Sequence, residues 1–137
     1  MIIDTSALLS ILRSEPTAPA HAQAIENAAT RRISAGSFLE AAIVIDASGD
    51  PIASRRLDEF LQVAQVLIEP VTAEQARIGR EAYRDFGKGT GHPARLNFGD
   101  CFAYALAKVS REPLLFSGVD FSRTDVRAAL LPEGDEG

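Results

Sequence analysis

Met1-Ile2-Ile3-Asp4-Thr5-Ser6-Ala7-Leu8-Leu9 is the stretch from which the fold is read. An apolar strand that begins at the first residue has room only for a central, buried place in a sheet. Asp4 stands at its exit, so a carboxylate is carried to the edge of the core and held there without full solvation. A bare buried carboxylate costs several kcal/mol unless a partner compensates it. A metal ion or a basic group is the natural compensation.

Outward from this strand, the chain alternates short apolar runs with amphipathic ones. Thr5 or Ser6 is placed to cap a helix through Leu12, with Asp4 as a further candidate cap, and Pro16 and Pro19 end it. A second helix runs through His21, Ala24, Ile25 and Ala28. Residues 31–35 read as strand two, and Gly36 and Ser37 start a helix carrying Phe38, Leu39, Ala42, Ile43 and Ile45. Pro51 opens the next helix, with Ile52, Leu57, Phe60, Leu61 and Ala64 on one face. Residues 66–71 form strand three. Thr72 and Gln75 have the pattern of a capping box. Residues 87–93 are a loop rich in glycine and proline, read as a flexible flap with Lys88, His92 and Arg95 reaching substrate. Asn97 to Asp100 open a helix with Phe102, Leu106 and Val109 on one face. Leu114-Leu115-Phe116 is strand four. This alternation implies an α/β fold, a mostly parallel sheet with helices on both faces.

The bulk numbers agree. At 137 residues, 46% apolar and 24% charged, the chain has the size and composition of one globular domain. Residues 1–131 are expected to form it, and residues 132–137 an acidic, disordered tail. No apolar run approaches a membrane span. The single cysteine, Cys101, makes no internal disulfide, which fits a reducing cytoplasm. A net charge of −5 argues against a passive nucleic-acid coat protein. It does not exclude an enzyme on nucleic acid, because a carboxylate cluster that binds cations makes the formal charge more negative than the working one. All but two of the fourteen basic residues are arginine, suited to bidentate phosphate contact.

Four acids fall where strands end or helices begin: Asp4, Glu40, Asp100 and Asp120. In a parallel sheet all four lie along the carboxyl edge. Helix N-termini tolerate such charges but do not reconcile four of them. A hard divalent cation does, and an all-oxygen donor set points to Mg²⁺ or Mn²⁺. Such an ion serves phosphodiester hydrolysis.

Four segments in order resemble the PIN-domain family, and within it the VapC-type toxins of type II toxin–antitoxin pairs. They are Ile3 to Leu8, Phe38-Leu39-Glu40, Asn97 to Ala107, and Leu114 to Asp125. The resemblance implies a three-layer sandwich with a sheet of four to five strands. It implies a metal-dependent endoribonuclease whose Asp4, Glu40, Asp100 and Asp120 bind Mg²⁺, with Mn²⁺ as substitute. It also implies an RNA substrate, a homodimer and a cognate antitoxin whose C-terminal segment covers the acidic site. Ser117 and Val119 depart from the family's pattern, so direct or water-mediated contact of Asp120 with the metal stays open. A catalytically weak binding module with the same fold is the alternative. A receiver-type phosphotransfer site fits poorly, because no lysine sits in residues 114–118.

Overall fold

The structure is a computed structural model, and residues 1–130 are described. The tail expected at 132–137 lies outside them. Four strands, β1 (Ile2–Ile3), β2 (Arg32–Ser34), β3 (Leu67–Glu69) and β4 (Leu114–Leu115), form one sheet in the order β3-β2-β1-β4. Every pairing is parallel. A single parallel bridge between Leu114 and Ala128 adds a vestige of a fifth strand beyond β4. The sheet of four to five strands is as expected.

Six helices cover it: α1 (Thr5–Leu12), α2 (Ala18–Asn27), α3 (Ala35–Ala47), α4 (Pro51–Val63), α5 (Ala73–Phe86) and α6 (Phe98–Ser110). Successive strand residues point to opposite faces. Ile3 and Leu115 therefore join one core cluster, with Leu8, Ile25, Ala41, Ile45 and Leu57 from α1 to α4. Ile2 and Leu114 join the other, with Ala82, Ala103, Tyr104 and Leu106 from α5 and α6. Strands buried on both faces carry unbroken apolar runs rather than alternation, which is how they read in the sequence.

Several local expectations are corrected. Asp4, not Thr5 or Ser6, caps α1, accepting from the Ser6 amide at 3.0 Å. Ser34 caps α3, which starts at Ala35. Pro19 sits in the first turn of α2, where its missing N–H costs nothing, so it opens that helix. Thr72 caps α5 through the Gln75 amide, but the Gln75 side chain turns to the Pro70 carbonyl instead of closing a box. Ile52, expected inward on α4, is 66% exposed. Among the described residues no helix is long and apolar enough to cross a membrane.

Candidate metal centre at the carboxyl edge of the sheet

β1 ends at Ile3, and the Asp4 amide still donates to Leu115 of β4 at 2.9 Å. Asp4 is therefore fixed as the last rung of the sheet and the first cap of α1. Its side chain is 3% exposed. Ser6 gives it both an amide bond at 3.0 Å and a hydroxyl bond at 2.6 Å, and both land on Oδ2. Oδ1 stays outside this pair. Burial raises the Asp4 carboxyl from 3.8 to about 7; the Ser6 bonds oppose the shift, and the charges of Asp100 and Glu40 add to it.

Asp100 enters from the other face. Asn97 caps α6 by accepting from the Asp100 amide, and Asp100 Oδ2 accepts from the Asn97 amide, each at 3.0 Å. This capping box fixes the acid on the helix start. Burial raises its carboxyl to about 6; the Asn97 bond opposes, and Asp120 and Glu40 push further upward. Glu40 lies on α3, half-buried, and its carboxylate rests on the bare Cα of Gly99, where a Cβ would strike it. Asp120 follows β4, exposed, beside a Gly118 at φ +90° and just before a short turn at Phe121–Arg123.

The charges of Asp100 and Glu40 thus reach Asp4, and those of Asp120 and Glu40 reach Asp100. Among the described residues no three histidine, cysteine, aspartate or glutamate side chains stand close enough together to hold a metal ion. The donor chemistry fits a hard divalent cation: oxygen ligands only, two of them buried against their own ionisation, and one seated on a glycine that admits it. His21 and Cys101 are poor competitors. His21 is hydrogen-bonded to Ser10, away from the acids, and burial lifts the Cys101 thiol to about 11.

The loop expected to flap is instead tied down. Leu96 donates to the Phe86 carbonyl at 2.9 Å, and the Lys88 amide donates to Leu96 at 2.6 Å. Ala94 and Leu96 are fully buried, and His92 packs edge-on against Phe86 at 5.0 Å. His92 is spent on this packing and on the Ala94 amide. Lys88 and Arg95 remain exposed. Two features were missed in the sequence. Ser6 also accepts from the Ser117 amide at 2.9 Å, joining the exits of β1 and β4. Gly99 is the seat of Glu40; the small residue just before Asp100 was the available signal.

The sequence pattern of the PIN domain matches residues 1–127. Ribonuclease VapC28 of Mycobacterium tuberculosis is 57% identical over 130 residues, covering 95% of this chain and 98% of that protein. Among solved structures, the fold is similar to VapC20 of Mycobacterium tuberculosis, described as a sarcin–ricin loop cleaving toxin. The TM-score is 0.71 at 16% identity, covering 91% of this chain and 95% of that one. A toxin–antitoxin complex from Klebsiella pneumoniae gives a TM-score of 0.66 at 17% identity, covering 88% and 89%. The chain belongs to the PIN-domain family, among its VapC ribonucleases.

Proposed function

We propose that the protein is a metal-dependent endoribonuclease toxin that hydrolyses RNA phosphodiester bonds in the cytoplasm and is neutralised by a cognate antitoxin. The observation that supports this is the placement of Asp4, buried and held by Ser6 at the exit of β1, of Asp100, fixed at the start of α6, and of Glu40 against Gly99, the neighbour of Asp100. Asp4, Glu40 and Asp100 would hold Mg²⁺, or Mn²⁺ in its place, with Asp120 assisting. The ion, when bound, would lower the pKa of a water and offset charge developing on the phosphate. Asp4 and Asp100 orient the attacking water. As its oxygen adds to phosphorus in line with the departing ribose oxygen, the water gives up a proton to solvent, and the ribose oxygen takes one from solvent as its bond to phosphorus breaks. Lys88 and Arg95 draw the RNA backbone toward this edge. The chain pairs with a second copy of itself, a reading supported by apolar side chains left exposed on α5 and α6, Phe98 and Tyr83 among them.

Asp4→Asn and Asp100→Asn test the reading. Asparagine keeps the oxygen that each cap needs, so both variants fold; both are expected to lose RNA cleavage by at least about a hundredfold. Cleavage at the parental rate by both would end the proposal. The open spacing of the acids favours the rival of a weakly catalytic binding module. Calorimetric titration with Mn²⁺ separates the two, since the module has no need to bind it. Sedimentation as a monomer at micromolar concentration would remove the homodimer.

A further inference from the structure

Gly79 of α5 packs against Cys101 of α6, where an added Cβ would sit 3.4 Å from the cysteine. Beside this contact runs a mostly apolar groove of about 310 Å³. That is the lower end of the size range of small-ligand pockets, which starts at roughly 300 Å³. The exposed Phe98 and Tyr83 stand at its rim and the buried Gly79 at its floor, while Arg80 and Gln75 add polar groups. Both rings are held. Phe98 is 76% exposed yet meets Phe102 edge-on at 5.1 Å. The Tyr83 hydroxyl donates to the Lys88 carbonyl at 3.0 Å. Gln75 is buried and spends one N–H on the Pro70 carbonyl at 3.3 Å. Among the described residues its side-chain oxygen accepts no hydrogen bond. The groove begins at the acidic edge. Phe98 is the first residue of α6, followed by Gly99, the seat of Glu40, and then Asp100. Along α5, Arg77, Arg80 and Arg84 recur at three- and four-residue spacing and share one stripe, whereas Glu74, Glu81 and Asp85 share another. Among the described residues only Arg84 of the three is in an ion pair, with the exposed Asp85.

We propose that this groove receives an unstacked nucleobase of single-stranded RNA next to the phosphodiester being cut, with Phe98 and Tyr83 as stacking surfaces, Gln75 for the base edge, and Arg80 and Arg84 on the flanking phosphates. The proposal rests on the nuclease reading of the acidic edge and names the form of its substrate. Aromatic faces beside a row of cations suit single strands, because bases stack on the rings while the backbone follows the charge. A paired base leaves its stack only at a cost, so the groove selects unpaired RNA. A second copy seated in the groove through the same face of α5 and α6 would bring its own arginine stripe alongside this one. Like charge opposes that arrangement. Pairing at the outer rims of Phe98 and Tyr83 borders the groove instead of filling it.

The test is a binding titration of the full chain in EDTA, where no cation supports cleavage. The titrant is a fluorescein-labelled pool of single-stranded RNA dodecamers of random sequence. Phe98→Leu keeps an apolar side chain at an exposed position, so the fold holds; it should weaken binding about tenfold through lost stacking, and Phe98→Tyr should restore it. Arg80→Gln should lower the slope of log affinity against log salt by about 0.7, the value for one lost single-strand phosphate contact. Annealed duplexes should not respond to Phe98→Leu. Dodecamers carrying iodouridine should cross-link on irradiation at Phe98 or Tyr83. Unchanged RNA affinity in Phe98→Leu, with a dimer that comes apart in sedimentation, would assign the groove to a second copy and overturn the proposal. Unchanged affinity with the dimer intact would overturn it as well. In either case a parent that still cuts RNA with Mn²⁺ keeps the nuclease reading and loses the groove alone. A parent that neither binds nor cuts RNA would remove both together.

Discussion

Asp4 illustrates how one residue serves fold and site with opposing demands. As a cap it needs only an acceptor oxygen; as a candidate ligand it needs a charge. The site burdens the fold, because burial raises its carboxyl from 3.8 to about 7. A carboxyl that holds its proton more tightly folded than unfolded contributes stability fully below pH 3.8 and loses that contribution as pH rises toward 7. His21, whose burial lowers its pKa, works in the opposite direction below its ordinary value of 6.5. Comparison with a variant cancels that background. Asp4→Asn, without metal, should be more stable than the parent at pH 8 by on the order of a few kcal/mol, the gap closing as pH falls to 4. Chemical denaturation in EDTA at the two pH values measures it. A variant less stable than the parent at pH 8 would mean that the charge is well compensated inside the protein.

At the scale of elements, α3 and α6 meet where two glycines allow it, and the two have different consequences. A Cβ at Gly36 would fall on the body of the Phe102 ring, on its Cγ and Cδ1 atoms. Gly36→Ala should cost about 1–3 kcal/mol as an overpacked contact. A Cβ at Gly99 would fall on the end of the Glu40 side chain, which can swing away. Alanine also favours the helix by about 0.5–1 kcal/mol over glycine. Gly99→Ala should therefore keep its urea midpoint while RNA cleavage drops about tenfold or more, because Glu40 has left its seat. Unchanged cleavage would detach Glu40 from the site. This division also explains what the sequence showed and what it hid. Strands β1 and β4 were legible because burial on both faces leaves only apolar residues, and α6 because Asn97 and Asp100 signal their own cap. The edge strand β3, with Leu67 and Ile68 exposed, was legible as a strand but not as an edge. The cap of α1 stayed open in the sequence since Thr5, Ser6 and Asp4 are all good caps, and only the fold's need for Asp4 at the sheet edge decides among them. The acids could be named one by one. The serine bridge, the glycine seat and the pinned loop depend on contacts between distant segments, which periodicity does not encode.

For the whole molecule, the acidic edge makes a net charge of −5 informative. Two repulsive sources act on it. One is diffuse and spread over the surface, and any salt screens it within about a Debye length. The other is local, among Asp4, Glu40, Asp100 and Asp120, and a dication bridging their oxygens would relieve it specifically. The two are separable in a melting experiment at pH 8. Free Mn²⁺ at a hundredfold excess over its dissociation constant should stabilise the fold by about 2.7 kcal/mol, since a site drawn from segments distant in the chain would exist only in the native state. For a domain of this size that is roughly 10 °C in melting temperature. Sodium chloride at matched ionic strength should raise it by much less. Asp4→Asn and Asp100→Asn should each lose most of the Mn²⁺ shift while keeping the sodium response. Equal shifts from the two salts would show that screening alone acts on this edge, and that the carboxylates are gathered without a dication to hold.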